Sequence, residues 1–308
     1  MTAYIVRRLL WLPVLLLIVV FITFVLGTYG PGDPVEVRLG TKANPEAVAR
    51  LRHQLGLDRP FAVQFADYVG GVVRGDFGES YRYPGRKTLD LILPRMAVSA
   101  QLNLAALLIV LVIGLPVGML AARFQGRWLD PAIVTGIVLF SSLPVLITGP
   151  LLLFLFVVIL KLLPSAGWGG LFDPRVILPA VTIAIPGLAL IVRVMRTSTL
   201  EVLSQDYVRT AHAKGLTPQI VARRHVARNA FLPVLTMLGF SLAGLIGGTI
   251  VGETIFGIPG VGRLGLESVF NRDYPVIMAF TILGSTIFVL ANLIVDVAYT
   301  FLDPRIRY

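Results

Sequence analysis

Long apolar segments constrain the fold of this chain more than any other feature of its sequence. A helix that crosses the hydrocarbon core of a bilayer needs about 20 mostly apolar residues. The chain is 56% hydrophobic and only 14% charged, against about 45–50% and about 25% in soluble domains. A bilayer accepts this apolar surplus, so the sequence predicts an all-α membrane protein. Its six expected transmembrane helices lie near residues 9–26, 98–122, 131–160, 176–195, 231–255 and 275–301.

Two of these segments carry further signals. The first, behind Arg7 and Arg8, is either a cleaved signal peptide or a retained helix. Its apolar region is unusually long for a signal peptide, and no small-residue cleavage site follows Leu26, so we expect a retained helix. The third segment contains Pro144 and Pro150 and is long enough to tilt or kink.

The polar stretch between the first two spans has the signals of short helices. Asn44 and Pro45 form a helix start, and Gly56 is placed to stop that helix. A second amphipathic stretch includes Phe61, Phe65, Tyr68 and Val72. We expect a small extracytoplasmic helical region on the membrane surface, and the alternative is an undifferentiated loop. The predicted organisation is an N-terminal transmembrane helix (residues 1–29), this loop region (30–96) and a five-helix core (97–308).

Basic residues in the loops predict the orientation. If the N-terminus is cytoplasmic, the inner segments carry 13 Lys and Arg residues and the short outer loops carry 4. Cytoplasmic loops are the ones enriched in these residues, and an even number of spans puts both termini on the cytoplasmic side. Such flanking residues also account for the net charge of +10, which would otherwise raise the question of nucleic-acid binding.

The inventory of reactive side chains is sparse. The chain contains no cysteine, which excludes disulfides, thiolate metal sites and cysteine nucleophiles. His53, His212 and His225 show no metal-ligand spacing, so no metal site is assigned. No Ser–His–Asp set or pair of carboxylates is evident, and no catalytic residue is assigned.

Residues 197–230 form the most informative polar segment. They place 34 residues between two spans, far more than a tight connection needs. Gly215 ends a first predicted helix with Lys214 in its last turn, and Thr217 and Pro218 are the cap and first residue of a second. We call these two helices, joined at Gly215, the elbow. From the residues alone, the elbow either docks in a groove of a partner protein or is a basic surface loop that follows the orientation rule.

Six motifs, in chain order, resemble those of one protein family. The longest is residues 206–215 (DYVRTAHAKG) followed by residues 228–234 (RNAFLPV). The others are RRLL at 7–10, PGDP at 31–34, LGLD at 55–58, RGDFG at 74–78 and DPRIRY at 303–308. Over essentially its whole length, the chain resembles the permease subunits of ATP-binding cassette importers. It is most similar to the peptide/nickel branch, which comprises dipeptide, oligopeptide and glutathione permeases.

The elbow motif departs from the general importer signature at two points. The Glu-Ala-Ala start of that signature is replaced by Arg209, Thr210 and Ala211. The distance from Gly215 to Pro233 is longer than in sugar importers. Both departures are similar to the peptide branch, and no role of the family's Glu is transferred to Arg209.

The resemblance implies the pore-forming permease subunit of an ATP-driven peptide importer of the dipeptide or oligopeptide class, in a bacterial or archaeal cell membrane. Its implied partners are a second homologous permease, two cytoplasmic ATP-binding subunits and an extracytoplasmic substrate-binding protein, with no nucleic acid. ATP and Mg would be used by the ATP-binding subunits, and this chain would bind no cofactor. The residues implied in coupling to the ATPase are Tyr207, Thr210, Ala211, Lys214, Gly215, Leu216 and Thr217.

A nucleotide site in this chain itself would need a Gly-Lys pair after a glycine-rich turn, because that Lys and the backbone amides hold the phosphates. None of the lysines follows a glycine; they are Lys42, Lys87, Lys161 and Lys214. We therefore expect no ATP hydrolysis by this chain.

Polar side chains inside spans are costly and mark candidate functional positions. One set is predicted to line a hydrated path for a zwitterionic or peptide substrate, with interhelical hydrogen bonding as the alternative. These residues are Asn103, Glu253, Asn292 and Asp296. The glycine-rich apolar segment after the fifth span is predicted to contact the substrate-binding protein or to form an outer gate. Its residues are Ile258, Pro259, Gly260, Val261 and Gly262.

Small residues recur at helical spacing in two spans. Gly244, Gly248 and Gly252 in the fifth span would let helix backbones approach closely, as would Gly114 and Gly118 in the second. Such seams pack either against a second permease or within this chain.

Two other function classes are the alternatives. A self-contained secondary transporter usually shows internal repeats, and no repeat relates the two halves of this chain. An intramembrane enzyme would need a clustered nucleophile or metal set within the spans, where Cys and His are absent.

Overall fold

The computed structural model describes residues 2–29, 34–39, 44–244 and 247–302. Within these ranges the only strand-like feature is one isolated antiparallel bridge, between Glu79 and Lys87, which confirms the expected all-α class. In chain order the helices are α1 (Thr2–Tyr29), α2 (Pro34–Leu39), α3 (Pro45–Gln54), α4 (Phe61–Val73), α5 (Thr88–Arg123), α6 (Leu129–Ser142), α7 (Val145–Leu153), α8 (Ile177–Leu203), α9 (Asp206–Ala213), α10 (Pro218–Ile220), α11 (Arg228–Ala230), α12 (Leu232–Gly244), α13 (Ile250–Ile255), α14 (Val261–Phe270) and α15 (Tyr274–Leu302). π-Helical segments follow α7 (Phe154–Ile159) and α10 (Val221–Ala227), and a 3₁₀ turn precedes α8 (Pro174–Val176).

Four stretches of the described chain have the length and apolarity of a membrane-crossing helix, and they fall in four of the predicted spans. They are Leu10–Tyr29, Thr88–Arg123, Pro174–Leu203 and Tyr274–Ile294. The second begins well before the predicted edge at residue 98, so α5 also crosses the predicted boundary between residues 96 and 97.

The third predicted span is broken, as its prolines suggested. Leu129–Ser142 and Val145–Ile159 qualify as one span only together, and they are bent by 98°. Leu143 is extended, with ψ at 126°, because the ring of the following Pro144 disfavours the helical conformation in the residue before it. The expected kink is therefore confirmed.

The fifth predicted span is also interrupted, which the sequence pattern did not indicate. α12 ends at Gly244, α13 begins at Ile250, and Gly248 between them has a φ of +73°. This left-handed conformation is accessible at low cost only to glycine and cannot continue a right-handed helix. The prediction of one helix over residues 231–255 is wrong, and so is the helical stripe through Gly244, Gly248 and Gly252.

The chain divides into two compact units. Unit 1 comprises residues 1–99, 246–250 and 259–308. Within it, α1 lies so close to α15 that a Cβ on Gly27 would overlap the side chain of Met278. α4 packs on α1 through edge-to-face ring contacts, of Phe21 with Phe65 at 5.4 Å and of Phe24 with Phe61 at 5.6 Å between centroids.

The described part of residues 30–96 contains the predicted helices rather than an undifferentiated loop. The side chain of Asn44 caps α3 by accepting a hydrogen bond from the N–H of Glu46 at 3.1 Å, and Pro45 is the first helical residue. Gly56, with a φ of +66°, follows the end of this helix. α4 is the second predicted amphipathic stretch.

Unit 2 comprises residues 100–245 and 251–258, and its main core joins α5, α8 and the start of α12. A Cβ on Gly118 would lie 2.7 Å from the Cβ of Met195 and 2.8 Å from the carbonyl oxygen of Val192. A Cβ on Gly114 would lie 3.0 Å from the side chain of Ile191. The expected small-residue seam of the second span is confirmed, and its partner is α8 of the same chain.

The entry to α8 is held by a local ion pair. The carboxylate of Asp173 accepts hydrogen bonds from the backbone N–H of Arg175 at 2.8 Å and from its guanidinium at 2.9 Å. The guanidinium holds the pKa of Asp173 below its usual value. This contact caps the 3₁₀ turn that leads into the helix.

Candidate functional site

The elbow folds as two short helical arms that share a small core. The first arm is α9, and Gly215 follows it with a φ of +80°. The second arm starts at Pro218, after Thr217, and stays helical through Ala230. Both arms and the glycine break between them are therefore as predicted. The buried residues come from both arms, so packing fixes the angle between them; they are Val208, Ala211, Val221 and Val226.

Most residues assigned to coupling lie on the outside of the elbow. Tyr207, Thr210 and Lys214 share one face because residues three and four apart are neighbours on a helix. Ala211 belongs to the buried core, and Leu216 is half-buried. The exposed members of the set are Tyr207, Thr210, Lys214, Gly215 and Thr217. The elbow thus presents a polar outer face supported from beneath by small apolar side chains.

The second arm differs from the plain α-helix expected from the sequence. Its middle, Val221–Ala227, is a π-helix, a conformation that is often found at functional sites. Beside it lies an open cavity of about 1030 Å³. The lining includes Leu120 and Arg123 at the end of α5, Leu203 at the end of α8, and Ile220, Arg223 and Arg224 on the arm.

An ion pair that the sequence prediction missed joins α6 to α8, the helix that precedes the elbow. Arg196 on α8 donates from Nε to Oδ1 of Asp130 and from Nη2 to Oδ2, each at 2.6 Å. Asp130 lies in the first turn of α6 and is only 5% exposed. Its position at the edge of a predicted span was the available signal, because a carboxylate there needs a partner. The bidentate geometry ties α6 to α8, the helix that leads into the elbow.

The predicted path residues in unit 2 are both buried. Asn103 lines a cavity of about 230 Å³ with Ala184 and Ser241, among others. Glu253 on α13 is fully buried, and it is not among the residues that line this cavity. The structure therefore places one predicted residue at a small, mostly apolar cavity and the other in the packed interior.

The two remaining path residues lie on α15 in unit 1. Asn292 is half-buried. The side chain of Asp296 lies outside the described residues, although its backbone belongs to α15.

The segment predicted to contact a receptor or to form a gate is mostly buried. Of its residues only Pro259 is exposed. In unit 1, Val261 is 1% exposed, and its backbone N–H donates a hydrogen bond to Oγ of Ser99 at 2.8 Å. In unit 2, Ile258 is fully buried. These residues therefore expose little surface of their own.

A buried carboxylate in unit 1 organises an exposed loop that the sequence prediction had not singled out. Asp273, which precedes α15, is 1% exposed. It accepts hydrogen bonds from the hydroxyl of Ser80 and from the backbone N–H of Tyr81, the latter at 2.9 Å. The Ser80 hydroxyl in turn accepts from the N–H of Tyr83 at 3.0 Å. We call residues 79–87, which this network holds in place, the 79–87 loop.

Two protein-family models match the chain, and together they cover most of its length. Residues 114–308 match the family described as the binding-protein-dependent transport system inner membrane component. Residues 1–84 match the family described as the N-terminal part of the membrane component of the same systems. The chain belongs to this family. It is a multi-pass permease of the bacterial cell membrane, and the resemblance predicted from the sequence motifs is confirmed.

Curated relatives match the permease along its whole length. It is 39% identical over 314 residues to the probable peptide ABC transporter permease protein y4tP of Sinorhizobium fredii (strain NBRC 101917 / NGR234), with 100% of both chains covered. It is 40% identical over 308 residues to the glutathione transport system permease protein GsiC of Salmonella choleraesuis (strain SC-B67), again with 100% of both covered. The importer permease is thereby favoured over a self-contained secondary transporter.

A solved structure shares the fold. A chain of the MetNI methionine ABC transporter, in an inward-facing conformation, matches with a TM-score of 0.53 at 20% identity, covering 67% of the permease and 95% of that chain. At this identity the match shows the fold alone.

Proposed function

We propose that this permease is the pore-forming subunit of an ATP-driven importer of peptides, of the dipeptide or oligopeptide class. The elbow is the observation that carries the proposal. Its exposed face, with Tyr207, Thr210 and Lys214, supports docking on an ATP-binding subunit. The relatives named for peptide and for glutathione, itself a tripeptide, support the substrate class.

The energy source lies outside this chain. Since no lysine follows a glycine, the chain lacks the phosphate-binding loop that ATP hydrolysis uses. The proposed complex therefore contains a second homologous permease, two cytoplasmic ATP-binding subunits that use ATP and Mg, and an extracytoplasmic substrate-binding protein. The permease itself is not an enzyme and binds no cofactor.

The proposed topology has six spans with both termini in the cytoplasm. The four long helices, the bent pair α6–α7 and the interrupted pair α12–α13 supply the six. The distribution of Lys and Arg supports this orientation, which puts the elbow in the cytoplasm and residues 30–96 outside. The N-terminal helix (1–29), the outer region (30–96) and the core with its coupling segment 197–230 are the proposed functional divisions.

The ion pair between Asp130 and Arg196 connects movement of the elbow to a second membrane helix. An ATP-driven displacement of the elbow moves α8, from which the elbow continues. Arg196 on α8 holds Asp130 on α6, so α6 moves with α8. We assign Asp130 and Arg196 to positioning, since neither is proposed to touch substrate.

The substrate path is proposed along Asn103, Glu253, Asn292 and Asp296. The small cavity beside Asn103 supports its place there. For Glu253, exchange to Gln keeps the shape and removes the charge, so peptide uptake by reconstituted vesicles should fall several-fold. Unchanged uptake would remove Glu253 from the path.

Copurification in mild detergent tests the docking role of the elbow. Wild-type permease should bring down its ATP-binding subunits, whereas Thr210→Trp should lose most of them because the bulky ring stands on the exposed face. Gln125→Trp is the matched control, since Gln125 is also exposed and lies in the loop between α5 and α6. If the wild-type permease brings down no ATP-binding subunit, the proposed function is wrong. If Thr210→Trp brings down as much of the ATP-binding subunits as the wild type, only the placement of the elbow in the interface is wrong.

Mass spectrometry of the ligand eluted from the substrate-binding protein tests the peptide class.

A further inference from the structure

We propose that the permease receives the substrate-binding protein on a surface formed by residues 82–87 and 269–272, and that this surface fits an acidic face of that protein. The inference rests on the proposed function and adds the site and the chemistry of the contact. We call these two segments the docking surface.

Exposure distinguishes the docking surface from the glycine-rich segment, for which the sequence predicted either this contact or an outer gate. Every residue of 82–87 and of 269–272 is exposed, whereas Ile258 and Val261 are buried. The docking surface includes two aromatic side chains, Tyr83 at 43% exposure and Phe270 at 80%. Exposed rings next to arginines are the residues that most often anchor protein interfaces.

The charge of the docking surface has one sign. Arg82, Arg86 and Lys87 lie in one segment and Arg272 in the other, and neither segment contains Asp or Glu. A cluster of four positive side chains steers an acidic partner during encounter and fixes its orientation.

Hydrogen bonds to a buried carboxylate hold the two segments of the docking surface together. Asp273 immediately follows Arg272, and its buried carboxylate accepts hydrogen bonds from Ser80 and Tyr81 at the base of the 79–87 loop. Backbone pairing of Glu79 with Lys87 closes the same loop. A surface that is already ordered loses less conformational entropy when a partner binds.

The bilayer is the other surface that accepts exposed rings and positive charge. Residues 82–87 are non-helical, and irregular backbone does not occur in contact with the hydrocarbon region because its polar groups would be unsatisfied. The sequence RYPGRK at 82–87 also carries only one large apolar side chain, while Val269 and Phe270 are exposed in the other segment. The loop therefore favours a protein partner, and the lipid content of the nanodisc is varied to test the two apolar residues of the other segment.

The test uses the complete complex in nanodiscs, with the substrate-binding protein of the same system purified with its own ligand. ATP hydrolysis is measured as that protein is titrated. The variant Arg86→Glu with Lys87→Glu should raise the half-maximal concentration by about tenfold at low salt, since like charges would then face each other. The shift should shrink as salt is added, because salt screens exposed charges.

Matched controls separate docking from general damage. Arg50→Glu with Arg74→Glu makes the same charge change at exposed positions of the same polar stretch, outside the docking surface, and should leave the half-maximal concentration unchanged. Phe270→Ser should raise it at all salt concentrations. Hydrolysis without the substrate-binding protein, and the maximal rate with it, should match the wild type in every variant.

Three outcomes overturn the proposal. If the wild-type complex responds but the Arg86/Lys87 and Phe270 variants keep its half-maximal concentration, the docking surface is wrong and the proposed function stands. If the variants respond to the anionic lipid content of the nanodisc instead, the surface serves the bilayer. If the wild-type complex shows no stimulation at all, the proposed function fails and the docking surface fails with it.

Discussion

Two buried aspartates, one bound to the helix that leads into the elbow and one at the base of the docking surface, are held by different chemistry. Asp130 in unit 2 faces a full positive charge, the guanidinium of Arg196, at 2.6 Å on both oxygens. Asp273 in unit 1 accepts hydrogen bonds from neutral donors, the hydroxyl of Ser80 and the backbone of Tyr81. The first joins two helices at the edges of two predicted spans, and the second holds a loop outside the spans.

The difference predicts how each site responds to the loss of a partner. A buried ion pair that loses one member leaves an uncompensated charge in a poorly solvated place, which is strongly destabilising. A carboxylate that is removed from neutral donors leaves only unsatisfied hydrogen bonds, which cost less. Loss of one partner should therefore lower the stability more at the Asp130–Arg196 pair than at Asp273.

Removal of Arg196 should give the largest effect. Arg196→Ala leaves the carboxylate of Asp130 without its partner. Because the Arg196 side chain is itself 27% exposed, we expect a loss of about 2–4 kcal/mol of stability, below that of a fully buried pair, measured as thermal unfolding of the purified complex. The double variant Asp130→Leu with Arg196→Met should recover most of that loss, since apolar residues of similar size replace such pairs well. Equal stability of Arg196→Ala and wild type would show that the pair is not sequestered from water.

Removal of Asp273 should have a smaller and more local effect. Asp273→Ala leaves the Ser80 hydroxyl and the Tyr81 N–H without their acceptor, at a cost of about 1–3 kcal/mol. The 79–87 loop should loosen, and trypsin should cut after Arg82, Arg86 or Lys87 faster than in the wild type. Glu79→Ala is the control, because this exposed residue joins the loop through its backbone only. Equal cleavage of Asp273→Ala and Glu79→Ala would contradict the anchoring role.

Gly215→Ala should give the smallest change in stability and the clearest change in coupling. A Cβ would meet nothing within 4 Å at Gly215 or at Gly126, and their φ values of +80° and +76° are nearly equal. Each substitution should therefore cost the same backbone strain, about 1–2 kcal/mol. Only Gly215→Ala should reduce the ATP hydrolysis that the substrate-binding protein stimulates, because only it changes the elbow. An equal reduction in Gly126→Ala would assign the effect to strain alone.

Local signals in the sequence predicted many of the elements correctly. Asn44 and Thr217 mark helix starts, and Gly56 and Gly215 mark helix ends, because caps and left-handed glycines act over a few residues. Pro144 marked the break in the third span for the same reason. Gly248 was misassigned because a glycine spaced every fourth residue suits a close-packed helix as well as a break. Only its φ of +73° distinguishes the two.

The membrane class, most of the helices and the polar face of the elbow were determined by the sequence alone, since hydrophobicity, periodicity and capping are properties of neighbouring residues. The tertiary structure decided which buried carboxylates have partners and which loops are exposed. Asp130 and Arg196 are 66 positions apart, and Ser80 and Asp273 are 193 apart, so no local pattern connects them. Burial of Ile258 and Val261, and exposure of residues 82–87, likewise depend on what packs over each segment. That packing is the reason why the proposed receptor contact lies on the 79–87 loop and not on the glycine-rich segment.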